Sequence, residues 1–244
     1  MDGSVYNPRM VKMRVHRVFT YAFAAILTLS SALSGCLRAQ PKLHTWFHYH
    51  GEKSLQKLEP YKDLLSSVSL FGNPDRKFVT QCHGLQLEVY SLVSGPVENI
   101  AAREKAAATI DAYIEKCSAL GLDGIDLDYE SLPAKYRGAY GAFIADLAAK
   151  LHDAGKKLSI CVAYTPGMSQ PVPNPGFYDP ELIAKHCDLV RVMCYDKHLA
   201  SQPGHGPTST APWARAAMQY WLKHIPRGKL VMGLPAYSND YDIR

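Results

Sequence analysis

The stretch GLDGIDLDYESLP, residues 121–133, carries Asp123, Asp126, Asp128 and Glu130, the last three separated by single residues. Ile125, Leu127 and Tyr129 fill the gaps. Alternate side chains of an extended strand share a face, so this spacing sends Asp126, Asp128 and Glu130 one way and the apolar set the other. The apolar face predicts packing against helices. The acidic face predicts a site, with Glu130 uppermost at the strand's C-terminal end. Carboxylates this close in a poorly solvated place cannot all ionise, so protons are shared and at least one group titrates above its ordinary range. That is how a Glu stays protonated near neutral pH and serves as a general acid. A divalent ion held by the three same-face carboxylates is the competing reading. The EF-hand template is not met, because Ser131 stands in place of its Gly and Arg137 in place of its closing Glu. On the residues alone the metal reading stays open as the less favoured one.

Outward from this stretch, short apolar runs alternate with segments of helical period. The runs are LHTWFHYH from Leu43, LSSVSLFG from Leu65, LQLEVYSLV from Leu85, GIDLDYE from Gly124, KLSICVAY from Lys157, DLVRVMCY from Asp188 and KLVMGLPAY from Lys229. They are of strand length and rich in β-branched and aromatic residues. Helical spacing spans Ile100 to Leu120 and Ala134 to Ala154, the second stopped by Gly155. YDPELIAKHC offers Asp179 as N-cap with Pro180 at the first helical position, and a further helix follows Thr210. Regular alternation of strand and helix implies parallel βαβ units, which fits both a doubly wound sheet and a (β/α)8 barrel. Two features favour the TIM barrel. No GxGxxG or GxxxxGK[ST] phosphate turn occurs, and the carboxylate face of the fourth strand suits the C-terminal mouth of a barrel. His48 and His50 share a face of the first strand and read as hydrogen-bonded barrel residues. The expectation is an α/β TIM barrel occupying 42–244 and truncated after its seventh strand.

The first residues differ in character. Arg9, Lys12, Arg14 and Arg17 precede an apolar stretch from Val18 to Leu33 that is shorter than the roughly 20 residues of a spanning helix. This reads as a secretory signal over 1–35. It ends in LSGC, whose Cys36 resembles a bacterial lipobox cysteine, followed by a short linker over 36–41. Export, a cell-envelope location and membrane attachment only through a lipid anchor at Cys36 are expected from it. The chain of 244 residues has a formal charge of +5 and no basic run interleaved with aromatics, which excludes nucleic acid as an expected partner. The remaining cysteines, Cys82, Cys117, Cys161, Cys187 and Cys194, show no metal-ligand spacing. Cys161 and Cys194 lie in strand-like runs and read as buried thiols, although an exported protein also permits a disulfide.

DGIDLDYE resembles the DxxDxDxE signature of the glycoside hydrolase family 18 chitinases, with every acidic position filled. MCYD, Met193 to Asp196, resembles the M-x-Y-D at the end of that family's sixth strand, and KLVMGLPAYSNDYD, with Tyr237, resembles its seventh. SLFGNPDRKFVTQCHGLQLEVYSLV and VAYTPG further resemble the di-N-acetylchitobiase and spore-cortex glucosaminidase branch. The resemblance implies retaining hydrolysis of β-1,4 bonds next to N-acetylglucosamine, with the substrate's own acetamide as nucleophile. By this likeness Glu130 is the acid, Asp128 orients the acetamide, Asp126 shares a proton with it, and Tyr195 hydrogen-bonds the acetamido carbonyl. Met193, Asp196 and Tyr237 line the sugar site, and Asp123 is structural. A monomer acting on an oligosaccharide or polysaccharide containing N-acetylglucosamine, with no metal and no organic cofactor, is implied.

Two departures accompany the likeness. The third strand offers Ser91, Ser94 and Gly95 where the family carries S-x-G-G, and the eighth strand with its Trp has no counterpart. Alternative readings are a carbohydrate-binding chitinase-like protein without catalysis, against which Glu130 stands, and an inactive truncated remnant.

Overall fold

The computed structural model describes residues 42–51, 53–130, 132–163, 175–198 and 206–237. The expected signal over 1–35, Cys36 and the linker lie outside them. Among the described residues seven strands form one sheet in chain order: β1 (Leu43–His48), β2 (Leu65–Phe71), β3 (Glu88–Val93), β4 (Gly124–Leu127), β5 (Lys157–Val162), β6 (Leu189–Met193) and β7 (Leu230–Gly233). Every neighbouring pair is parallel. The helices are α1 (Lys53–Leu58), α2 (Arg76–Gly84), α3 (Glu98–Ala101), α4 (Arg103–Leu120), α5 (Arg137–Asp153), α6 (Pro180–His186) and α7 (Ala211–Trp221). This is the α/β arrangement of a TIM barrel with seven strands, β1 and β7 at its two edges. The sheet curls until inward side chains from the edges meet. A Cβ added to Gly233 of β7 would lie 3.1 Å from Trp46 Cη2 of β1.

The alternation read from the fourth strand sorts the molecule into layers. Ile125 and Leu127 are fully buried and Tyr129 nearly so. The Tyr129 ring packs on Tyr140 and Phe143 of α5, with ring centres 5.7 and 6.3 Å apart, and its hydroxyl lies 3.4 Å from that of Tyr113 on α4. Val68 and Leu70, Leu158, Ile160 and Val162, and Val190 and Val192 repeat the pattern on β2, β5 and β6. Inside the barrel the buried residues include the polar Ser67, Ser69, Asp126, Ser159 and Arg191, beside Tyr90 and Cys161.

Two aspartates register the sheet from below. Asp123 Oδ2 accepts from Val89 N at 2.7 Å and lies 2.9 Å from His83 Nε2 of α2, which gives Asp123 its expected structural place. Asp188 repeats the device one strand pair on, accepting from Leu158 N at 2.8 Å with His152 Nε2 of α5 at 2.9 Å. The chain enters β4 through Gly121, whose φ of +75° suits glycine and whose N–H donates to Cys117 O to close α4. Asp179 caps α6 as expected, its side chain accepting from Glu181 N and Leu182 N, with Pro180 in the first turn.

Some expected boundaries move. β4 ends at Leu127, not at Glu130, so the side-to-side alternation outlasts the ladder that would normally impose it. Leu85 and Gln86 form a turn, Gln86 with φ of +61°, and β3 begins only at Glu88. α2 was not legible as a helix, yet Asp75 caps it by accepting from Phe78 N at 2.7 Å. The His48 ring stacks 4.4 Å from the Phe71 ring and 6.1 Å from that of His50, and His50, past the end of β1, donates its N–H to Ser54 Oγ at 2.8 Å. The five cysteines Cys82, Cys117, Cys161, Cys187 and Cys194 are buried free thiols. No helix among the described residues is long and apolar enough to cross a membrane.

The start of β4 tolerates no side chain. A Cβ on Gly124 would lie 2.1 Å from Lys157 O and 2.9 Å from Tyr90 Cε1. Because the nearer clash is with backbone, Gly124→Ala is expected to lose about 3 kcal/mol of stability or fail to fold, which urea unfolding of the purified variant measures.

Candidate active site

The strand ends open on a cleft of about 550 Å3, lined by Asp128 and Glu130 beyond β4, Cys161 of β5, Met193, Tyr195 and Asp196 of and beyond β6, and Tyr237 beyond β7. His44, Trp46 and His48 of β1 and Phe71 of β2 complete the opposite wall. Six of the seven residues expected to form the site therefore meet in one cleft. The seventh, Asp126, lies directly beneath it, fully buried.

Asp126 is held through a single oxygen. Its Oδ2 accepts from Ser69 Oγ at 2.6 Å, Trp46 Nε1 at 3.2 Å and Arg191 Nε at 3.3 Å. The Arg191 side chain is itself fully buried and stands over the Tyr90 ring, 5.1 Å from its centre. A guanidinium inside the barrel is thus part of what compensates the crowded acids. A buried ion pair of this kind contributes little net stability, but removing one partner leaves an uncompensated charge. The guanidinium also bears on His44 of β1, whose Nδ1 lies 2.9 Å from Ser67 Oγ. Burial first, and then Arg191, push that imidazole down to about 2, so it is a neutral wall residue.

Asp128 and Glu130 are hydrogen-bonded to each other. Burial, then the charges of Glu130 and Asp126, push Asp128 up to about 7, partly offset by a hydrogen bond with Cys161. Glu130 is raised as well, by burial and then by the charge of Asp196, while its bond with Asp128 works in the opposite direction. The arrangement is that of one proton held between two carboxyls, with Asp128 as the donor.

Across the cleft, Tyr195 lies edge-on to Trp46 and to Tyr237, each 6.1 Å between ring centres. Burial drives its hydroxyl far above the ordinary phenol range, so it is available as a neutral donor. Asp196 adopts φ of +61° and accepts from the Tyr237 hydroxyl at 2.5 Å. Met193 is buried at the end of β6. Among the described residues no group of three or more His, Cys, Asp or Glu side chains is arranged to hold a metal ion.

Sequence reasoning passed over Trp46, Ser69 and Arg191. Each reaches Asp126 from 57 to 80 positions away, and only the closure of the sheet brings them together. Arg191 did leave one signal: a cation in the middle of the otherwise apolar run DLVRVMCY has to find an internal anion.

A family model described as Glycosyl hydrolases family 18 matches residues 86–243. The chain is 32% identical over 125 residues to the uncharacterized glycosylase YvbX of Bacillus subtilis, covering 50% of this chain and 35% of that protein. It is 24% identical over 226 residues to the di-N-acetylchitobiase of Mus musculus, covering 86% of this chain and 58% of that one. Among solved structures, a class V chitinase from Pseudomonas fluorescens Pf-5 superposes with a TM-score of 0.69 at 24% identity, over 80% of this chain and 68% of the other. The chain thus spans about a third to three fifths of these two curated relatives.

The raised Asp128 carries a stability consequence whose sign is fixed. Between its ordinary value of 3.8 and about 7, folded Asp128 binds more protons than the unfolded chain does. This carboxyl therefore lowers stability as pH rises through that window, and the cost is complete above it. Asp128→Asn is expected to be more stable than the parent at pH 8 by roughly 2–4 kcal/mol, with the difference vanishing near pH 4. Urea unfolding at the two pH values measures it.

Proposed function

Because the chain belongs to glycosyl hydrolase family 18, we propose that its cleft hydrolyses β-1,4 bonds next to N-acetylglucosamine, in chitin oligosaccharides or peptidoglycan-type glycans. The observation that carries this reading is the hydrogen-bonded pair of the half-buried Asp128 and the exposed Glu130 lining an open cleft. The proton held between the two carboxyls passes from Asp128 to Glu130, which delivers it to the leaving glycosidic oxygen. Asp128, lying deeper and hydrogen-bonded to Glu130, orients the substrate's acetamide so that its carbonyl oxygen attacks the anomeric carbon. As Glu130 loses its proton the bond between the two carboxyls reorganises. The negative charge of Asp126, anchored by Ser69, Trp46 and Arg191, faces the positive oxazolinium ion from below.

The Tyr195 hydroxyl, kept neutral by burial, donates to the acetamido carbonyl and holds it in line for attack. Met193 and Asp196 border the sugar, and Tyr237 supports Asp196 through its hydrogen bond. Water then opens the oxazolinium ion on the same face from which the leaving group departed, with Glu130 now acting as base, so configuration is retained. Positioning an internal nucleophile removes most of the entropy loss of a bimolecular attack. The relative named for di-N-acetylchitobiose cleavage supports the N-acetylglucosamine assignment.

The test uses the full chain and N-acetylglucosamine oligomers followed by proton NMR. The expected outcome is release of the β anomer first, with glucose oligomers, which lack the acetamide, left intact. Glu130→Gln is expected to lower kcat by about 100-fold to 10,000-fold. No cleavage by the parent, equal cleavage by both proteins, or first release of the α anomer would defeat the reading. A location at a bacterial cell envelope is proposed from the N-terminal sequence alone. Metabolic labelling with a fatty acid is expected to mark the chain in a bacterial host, and Cys36→Ser is expected to abolish the label.

A further inference from the structure

Glu130 lies beyond the last rung of its strand. Asp128 N still donates to Val93 O at 2.8 Å, but the peptide that leads into Glu130 has left the sheet. Its carbonyl, Tyr129 O, is met from another part of the chain, where the Tyr178 hydroxyl donates to it at 3.1 Å. The same hydroxyl oxygen accepts from Ala163 N, just past β5, at 3.3 Å, and lies 3.5 Å from Cys161 O. We propose that Tyr178 is a positioning residue that sets the Glu130 carboxyl against Asp128 by tying the end of β4 to the end of β5.

The hydroxyl suits the task because a phenol has one proton to donate and lone pairs to accept with. Here the donor capacity goes to one strand end and an acceptor site to the other. The ring cannot swing away, being 3% exposed and enclosed by Phe177 at 4.1 Å, Trp221 at 6.1 Å and Tyr140 at 6.5 Å between ring centres. Burial also holds its proton in place far above the ordinary phenol range. Both ends of the tie lead to the carboxyl pair. On β4 the tethered carbonyl belongs to the peptide unit of Glu130. On β5 the tethered segment carries Cys161, which hydrogen-bonds Asp128 and lines the cleft. The Tyr129 side chain is fixed independently by Tyr113, Tyr140 and Phe143. Loss of the Tyr178 hydroxyl therefore frees the backbone next to Glu130 without freeing the strand. Besides Tyr178 itself, Asp128 is faced by Asp126 and Glu130 from its own segment, by Cys161 from β5, and by Tyr195 from just beyond β6. Of these, Glu130 is the partner whose backbone the tether reaches directly.

This inference rests on the hydrolase reading for its catalytic consequence but not for its structural one, and the experiment separates them. Tyr178→Phe keeps the ring and its packing and deletes only the hydroxyl. The parent and the variant are assayed on N-acetylglucosamine oligomers, and the Asp128 side-chain carboxyl carbon is titrated by 13C NMR in both proteins. In the variant kcat is expected to fall about tenfold with KM changed less than twofold, because misplacement of a catalytic group costs rate before binding. The Asp128 titration is expected to move toward acid, since the hydrogen bond with Glu130 that helps to raise it is weakened. An unchanged Asp128 titration overturns the proposal whatever the rate does, and a lowered melting temperature by itself would make Tyr178 a packing residue only. If the parent turns over none of the oligomers, the hydrolase reading fails and the titration alone decides: an acid shift supports the positioning role, and no shift overturns it.

Discussion

The structure depends on one solved problem, a carboxylate at the centre of a barrel. Asp126 is inaccessible to solvent, and a lone buried carboxylate costs more than any single packing contact returns. Three donors from three other strands converge on its Oδ2, with Ser69 from β2, Trp46 from β1 and Arg191 from β6. They reach it only when the sheet is curled, so the interaction that satisfies the charge also selects the barrel's closure. Arg191 is in turn covered by Tyr90 of β3, so that five of the seven strands take part in one polar cluster.

What sits above that cluster follows from it. The negative charge of Asp126 is one of the reasons Asp128 titrates near 7 and not near 4. The proton kept there lies hydrogen-bonded against Glu130, one residue beyond Tyr129. Apolar burial keeps Tyr129, and with it the backbone of both acids, in place from the helix side. The two faces of residues 124–130 are thus not independent features of the sequence. The outer face anchors the segment so firmly that the inner face can hold charges that favour unfolding.

Much of this was legible before any coordinates. The alternation of Ile125, Leu127 and Tyr129 with the acids fixes which face meets the helices, and Asp179 followed by Pro180 fixes the start of α6, because both signals act within a turn or a strand. The signals that failed are the long-range ones. Ser69 and Trp46 are unremarkable within their own runs, and their meaning comes from Asp126, 57 and 80 positions away. Tyr178 follows the same rule: within GFYDP it reads as a residue before a helix cap, and its bond to Tyr129 O spans 49 positions. α2 escaped for a different reason, since its nine residues bury only Phe78, Val79 and Cys82, too few for a helical period to stand out from the polar background.

The end of β4 at Leu127 shows what the sequence pattern was measuring. Alternation continued to Glu130 although the ladder stopped three residues earlier, so the pattern recorded side-chain destination and not hydrogen-bonded strand. Backbone beyond the ladder is free to be placed by other partners, here the Val93 carbonyl for Asp128 N and the Tyr178 hydroxyl for Tyr129 O. A rigid strand would fix the two carboxyls at the regular spacing of the sheet, with every second side chain about 7 Å apart along the strand. Leaving the sheet lets Glu130 approach Asp128 within hydrogen-bonding reach. The acids that carry the chemistry therefore lie where the regular fold ends, held by contacts specific enough to replace it.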